Sequence, residues 1–154
     1  MNKMATGEVI ACAGTTMSRE CARVIADLGH DGPWDKCRFL MKDWLSADQF
    51  REAILLWIVD SSVPWDDIHL ALRHRIPLLV PEGNTALTQL CVSANCGIWY
   101  RDAVDARLCL EHLLANDVIR KRLGVHGQAY LAVSNTFAQL RHSPAARTNS
   151  HSGA

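Results

Sequence analysis

The stretch of this 154-residue chain that comes nearest to chemistry is Ser61-Ser62-Val63-Pro64-Trp65-Asp66-Asp67. It places two hydroxyls, a proline-started helix and two adjacent carboxylates directly after the apolar run of residues 54–60. Neighbouring acids can form a general base or a metal pair. In the first turn of a helix they also suit the helix dipole, a role that needs no function. His69 is a base by residue type, but it lies one turn from Arg73 and reads with it as an exposed face. The triplet Arg120-Lys121-Arg122 reads as a solvated helix face before it reads as a phosphate site. Gly14 ends the first apolar run. One glycine without the G-x-G-x-x-G spacing reads as an ordinary strand-to-helix turn.

The six cysteines, Cys12, Cys21, Cys37, Cys91, Cys96 and Cys109, contain no C-x-x-C and no zinc-finger spacing with histidine. Cys91 and Cys96 stand close in sequence, a weak signal. Most of the six sit in apolar segments, so the expectation is reduced thiols acting as small hydrophobes in a cytoplasmic protein. No metal and no cofactor is expected. Lys plus Arg and Asp plus Glu are 16 each, a net charge of zero. That balance gives no electrostatic case for nucleic acid or an anionic membrane. It also favours a partner or self-association, as a homo-oligomer, over a repelling surface. The opening MNKMATGE has no apolar signal-peptide core, and no apolar run reaches the roughly 18 residues of a membrane span.

Elements that would position the candidate residues can be read from the pattern. Residues 8–14 form a buried strand. Ser18 and the threonines before it cap a helix whose face is Cys21, Val24, Ile25 and Leu28, stopped by Gly29. The Asp31-Gly32-Pro33 stretch is a loop, and residues 37–41 a short strand. Ser46 with Gln49 is a capping box for a helix over residues 47–53. Residues 54–60 are a central strand buried on both faces. Pro64 and Trp65 start a helix packed through Ile68, Leu70, Ala71 and Leu72. Residues 76–81 are a strand, then come a Gly/Asn turn, a helix, and a strand over residues 96–101. Asp102, with Asp105 three residues on, caps a helix packed through Ala106, Leu110, Leu113 and Leu114. Asn116-Asp117 breaks it, a basic helix runs to Gly124, and a last helix over 128–140 is interrupted near Ser134-Asn135. Alternating strands and helices imply an α/β fold: a Rossmann-like open parallel sheet flanked by helices, one domain over residues 8–140. Residues 141–154 read as a disordered tail. In such sheets ligands bind at the carboxyl ends of the strands, where Ser61, Ser62, Val63 and Asp66 fall.

The ordered series from residue 54 to residue 130 resembles the C-terminal, donor-binding half of family 4 glycosyltransferases, which have the GT-B fold. The pieces are the strand over residues 54–62, Ile76-Pro77-Leu78-Leu79-Val80, and Gly97-Ile98-Trp99-Tyr100-Arg101-Asp102. The series closes with Leu113-Leu114-Ala115-Asn116-Asp117, Arg120, Leu123-Gly124 and Gly127-Gln128-Ala129-Tyr130. Val9 to Gly14 and Arg38 to Phe50 fit more loosely.

The resemblance implies a nucleotide-sugar-binding domain that is incomplete or catalytically inactive alone. The two glutamates of the family's Glu-x7-Glu helix fall on Ser62 and Leu70, and Leu70 cannot accept a hydrogen bond. The family's small residue two before the strand's proline is Arg75. The family's first strand of this domain, with the cations for the donor diphosphate, and its acceptor domain have no counterpart here. Under the resemblance no residue is catalytic. Donor phosphate is expected on the backbone N–H groups of Ser61, Ser62 and Val63 and the helix after Pro64, with Asp66 beside it. The alternatives are a donor-binding subunit that works with a separate acceptor-domain protein, transferring a glycosyl group once assembled, and a non-enzymatic doubly wound binding module. A receiver-type module is disfavoured, because the first strand ends without acids.

Overall fold

The computed structural model describes residues 8–14, 17–30, 37–60 and 65–141 of the chain. Five parallel strands form one sheet in the order β2-β1-β3-β4-β5. The strands are β1 (Val9–Ala13), β2 (Arg38–Met41), β3 (Leu55–Ile58), β4 (Leu78–Pro81) and β5 (Gly97–Tyr100). The helices are α1 (Arg19–His30), α2 (Ala47–Arg51), α3 (Trp65–Arg73), α4 (Thr85–Ala94), α5 (Ala103–Ala115) and α6 (Asp117–Arg141). This is the expected Rossmann-like α/β architecture.

Continuous apolar runs place β1 and β3 at the centre, because parallel strands covered on both faces have no polar side to alternate with. Every residue of both strands is buried. Their side chains divide between two cores. Ala11, Leu56, Ile58, Leu78 and Val80 point to one face, with Phe50 of α2, Ile68 and Leu72 of α3, Leu87 of α4 and Leu131 of α6. Ile10, Cys12, Leu55, Trp57 and Leu79 point to the other, with Val24 and Leu28 of α1 and Ala106, Leu110 and Leu113 of α5. Cys12, Cys21, Cys91 and Cys96 are buried in these cores.

Local signals set most boundaries. Ser18 Oγ accepts from the Cys21 amide at 3.1 Å and opens α1. Ser46 and Gln49 close the capping box in both directions. Asp102 Oδ1 accepts from the Asp105 amide at 2.8 Å and starts α5. Two boundaries depart from the pattern. Helix α1 takes in Gly29 and ends at His30. More consequentially, α6 runs unbroken through Gly124, Gly127 and Ser134-Asn135, where two helices were expected. These glycines act in packing. A Cβ at Gly124 would strike the Arg75 carbonyl oxygen, and one at Gly127 would come within 2.8 Å of Leu72 Cδ2. Only glycine lets α6 lie this close to the end of α3. Of the tail expected over residues 141–154, Arg141 instead ends α6, and the rest, like the Asp31-Gly32-Pro33 loop, lies outside the described residues.

Candidate functional site at the carboxyl edge

Strand order determines where a site can form. From β1 the chain moves outward to β2, then returns past β1 to β3 and on to β4 and β5. Helix α1 therefore covers one face and α3 the other, and in open parallel sheets the ligand crevice falls at such a reversal of strand order, here between the carboxyl ends of β1 and β3. Gly14 and Asp60 meet there. Gly14 has φ +150°, and a Cβ on it would lie 2.8 Å from Val59 Cγ2 and 2.9 Å from Asp60 Cγ. The turn after β1 must therefore be glycine to pass the end of β3.

Four residues were assigned to this edge from sequence. Ser61, Ser62 and Val63 lie outside the described residues, between the end of β3 and the start of α3. Asp66 is described: it sits exposed in the first turn of α3. Its neighbour Asp67 is buried instead, and its Oδ1 lies 2.7 Å from Lys42 Nζ. Lys42 follows β2 and its ammonium also lies 5.5 Å from the centre of the Phe50 ring. The two adjacent acids are thus split. Asp67 ties α3 to the end of β2, and Asp66 is left facing solvent. His69 is exposed beside the Trp65 ring, as read from its spacing with Arg73.

On the far side of β3, the Tyr100 hydroxyl donates to the Ile58 carbonyl at 2.6 Å, crossing over β4. The β3–β4 ladder is short, pairing only Leu56 with Leu78 and Trp57 with Leu79, so Tyr100 holds the ends of these strands together. Burial pushes the Tyr100 phenol well above its ordinary range, and the Trp57 indole N–H opposes that shift. That N–H makes no hydrogen bond of ordinary geometry although Trp57 is completely buried.

Side chains at this edge are mostly acidic or neutral. Asp60, Asp66 and Glu82 follow the strand ends, the exposed Arg101 follows β5, and the half-buried cation Lys42 is held by Asp67. An anion here would rest on backbone N–H groups. Among the described residues no group of three His, Cys, Asp or Glu side chains could hold a metal ion. Leu70 is partly buried against the core.

The opposite, amino-terminal edge holds a shallow cavity of about 150 Å³ lined by Ala53, Ile54, Pro77, Arg75, Asp117, Arg120 and Lys121. Its cations are already committed. Arg120 donates to the Leu113 and Leu114 carbonyls at 2.6 and 3.0 Å and so caps α5. Arg75 donates to Gln128 Oε1 at 2.7 Å, and Lys121 pairs with Asp117 one turn away. Neither Lys42–Asp67 nor the capping role of Arg120 was legible in the sequence, since each depends on residues from separate elements. No helix among the described residues is long and apolar enough to cross a membrane.

Solved structures share this fold. The chain is similar to WaaG, a glycosyltransferase involved in lipopolysaccharide biosynthesis, at TM-score 0.60 and 12% identity, over 82% of this chain and 43% of that one. It is similar to the C-terminal CMP-Kdo binding domain of WaaA from Acinetobacter baumannii at TM-score 0.58 and 11% identity, over 83% of this chain and 91% of that one. With the glycosyltransferase SnogD from Streptomyces nogalater the TM-score is 0.55 and the identity 12%, over 82% and 38% of the two chains. The fold is that of a GT-B glycosyltransferase domain. The chain spans less than half the length of WaaG and SnogD. No family model matches the sequence, and no curated protein does.

Proposed function

We propose that this chain is a donor-side domain of a GT-B glycosyltransferase of the family 4 type, binding a nucleotide sugar at its carboxyl edge and inactive in transfer by itself. The observation that carries this reading is one of extent. The chain matches nearly the whole of an isolated domain named for binding CMP-Kdo, but less than half of WaaG. The donor diphosphate sits at the crevice beside Gly14, on backbone N–H groups of Ser61, Ser62 and Val63 and the first turn of α3. Asp66 offers a carboxylate to donor hydroxyls. Transfer then requires an acceptor-binding domain as well, because a single domain cannot enclose both substrates or exclude water. The core-packed Leu70 supports loss of catalytic capacity over a complete site.

Isothermal calorimetry with UDP, GDP, CMP and their sugars tests this. Binding without transfer supports the proposal. No binding to any of them at millimolar concentration refutes it in favour of a non-enzymatic binding module. Sugar transfer by the purified chain alone refutes the inactivity.

A further inference from the structure

We propose that Cys91 and Cys96 form a reversible disulfide site that pins the end of α4 to the start of β5 when a hydroperoxide oxidises it. The turn between them is tight. Asn95 ends α4 in the left-handed conformation, φ +50°, and Cys96 follows at once. Cys96 Sγ reaches back under the last turn of the helix, 4.0 Å from the carbonyl of Leu90, the residue next to Cys91. The two thiols lie close enough for each to shift the pKa of the other. Both belong to one core cluster and are buried, at 2% and 0% exposure.

Neighbours hold this arrangement in place. A Cβ at Gly127 would lie 3.0 Å from Cys96 Cβ, so α6 presses on Cys96 from below. Asn95 Nδ2 lies 3.0 Å from His126 Nδ1 of the same helix. Val92 and Ser93, by contrast, face solvent, so opening of the last turn of α4 is the route by which the oxidant reaches the pair.

The pair is chemically asymmetric. Interaction with Cys91 lowers the pKa of Cys96, while interaction with Cys96 and burial raise that of Cys91. Cys96 is accordingly the attacking thiolate. Its sulfur displaces alkoxide from the hydroperoxide, giving a sulfenic acid, and the alkoxide takes up a proton. Cys91 sulfur then attacks the sulfenic sulfur and releases water. Two thiols and one hydroperoxide become one disulfide, one alcohol and one water.

Trypsin leaves both cysteines on one peptide, residues 76–101, with no other cysteine. The folded protein is treated with hydrogen peroxide, denatured, alkylated and digested. The expected result is this peptide two hydrogens lighter and unalkylated, restored to two alkylated cysteines by dithiothreitol. Recovery of Cys91 and Cys96 both alkylated, after exposure that oxidises the half-exposed Cys37 and Cys109, overturns the proposal. So does a disulfide from either residue to any other cysteine. In Cys91→Ala, Cys96 should accumulate as a sulfenic acid captured by dimedone, and no capture also overturns it. The site is on the amino-terminal side of the sheet, so none of these readouts depends on donor binding.

Discussion

Gly124 meets Arg75 backbone to backbone: a Cβ at position 124 would collide with the Arg75 carbonyl oxygen and lie 3.1 Å from Arg75 Cβ. Arg75 itself has φ +60°, a conformation L residues other than glycine rarely adopt. The turn from α3 into β4 and the middle of α6 are thus one packed unit, and Gln128 completes it. Its Oε1 accepts from Arg75 Nε, and its Nε2 donates to the Arg73 carbonyl at 2.8 Å.

Gly124→Ala should therefore destabilise the protein by about 2 kcal/mol, the usual scale of forced overpacking. A lower urea midpoint at unchanged slope would show it. A midpoint equal to that of the parent would mean α6 does not sit against the α3–β4 turn.

At position 75 the sign reverses. Relief of the left-handed backbone by Arg75→Gly is worth roughly 1 kcal/mol. Arg75→Ala keeps the strain, and either substitution loses the Gln128 contact. Chemical denaturation should rank Gly above Ala by about 1 kcal/mol, and the opposite order would contradict φ +60° there.

The Lys42–Asp67 pair should couple α3 to β2. Both side chains are mostly buried, 23% and 13% exposed, so screening by water is limited. A double-mutant cycle with Lys42→Met and Asp67→Asn should give a coupling of about 1 to 2 kcal/mol. A value near zero would reduce the pair to a surface contact.

Alkaline pH should weaken the fold. Burial, reinforced by nearby Cys21, pushes the Cys12 thiol from 9.0 up to about 12. Burial raises Tyr100 as well. Unfolded chains lose these protons first, so stability present below pH 9 is lost as pH rises toward 12. The slope is about 1.4 kcal/mol per pH unit for each group. Cys12→Ala should flatten that loss, and an unchanged slope would place the titration elsewhere.

The fold was legible wherever local chemistry decides. The unbroken apolar run around Trp57 marks a central strand, and Ser46, Gln49 and Asp102 mark helix starts within a few residues. Long-range packing was not legible. Gly124 and Gly127 look like helix breaks until Arg75, Leu72 and Cys96 are seen against them. Asp66 and Asp67 look equivalent until Lys42, brought in from the end of β2, selects one. Arg75 gives no local sign of its positive φ, because arginine is not a residue type that marks a left-handed turn.

The most direct test of the donor-side assignment is a backbone amide NMR titration with UDP and a UDP-sugar. The account predicts the largest shifts at Gly14, Ser61, Ser62, Val63 and Asp66, around the crevice between β1 and β3. Shifts confined to Arg75, Arg120 and Lys121 at the opposite edge, or no shifts at millimolar ligand, would contradict it.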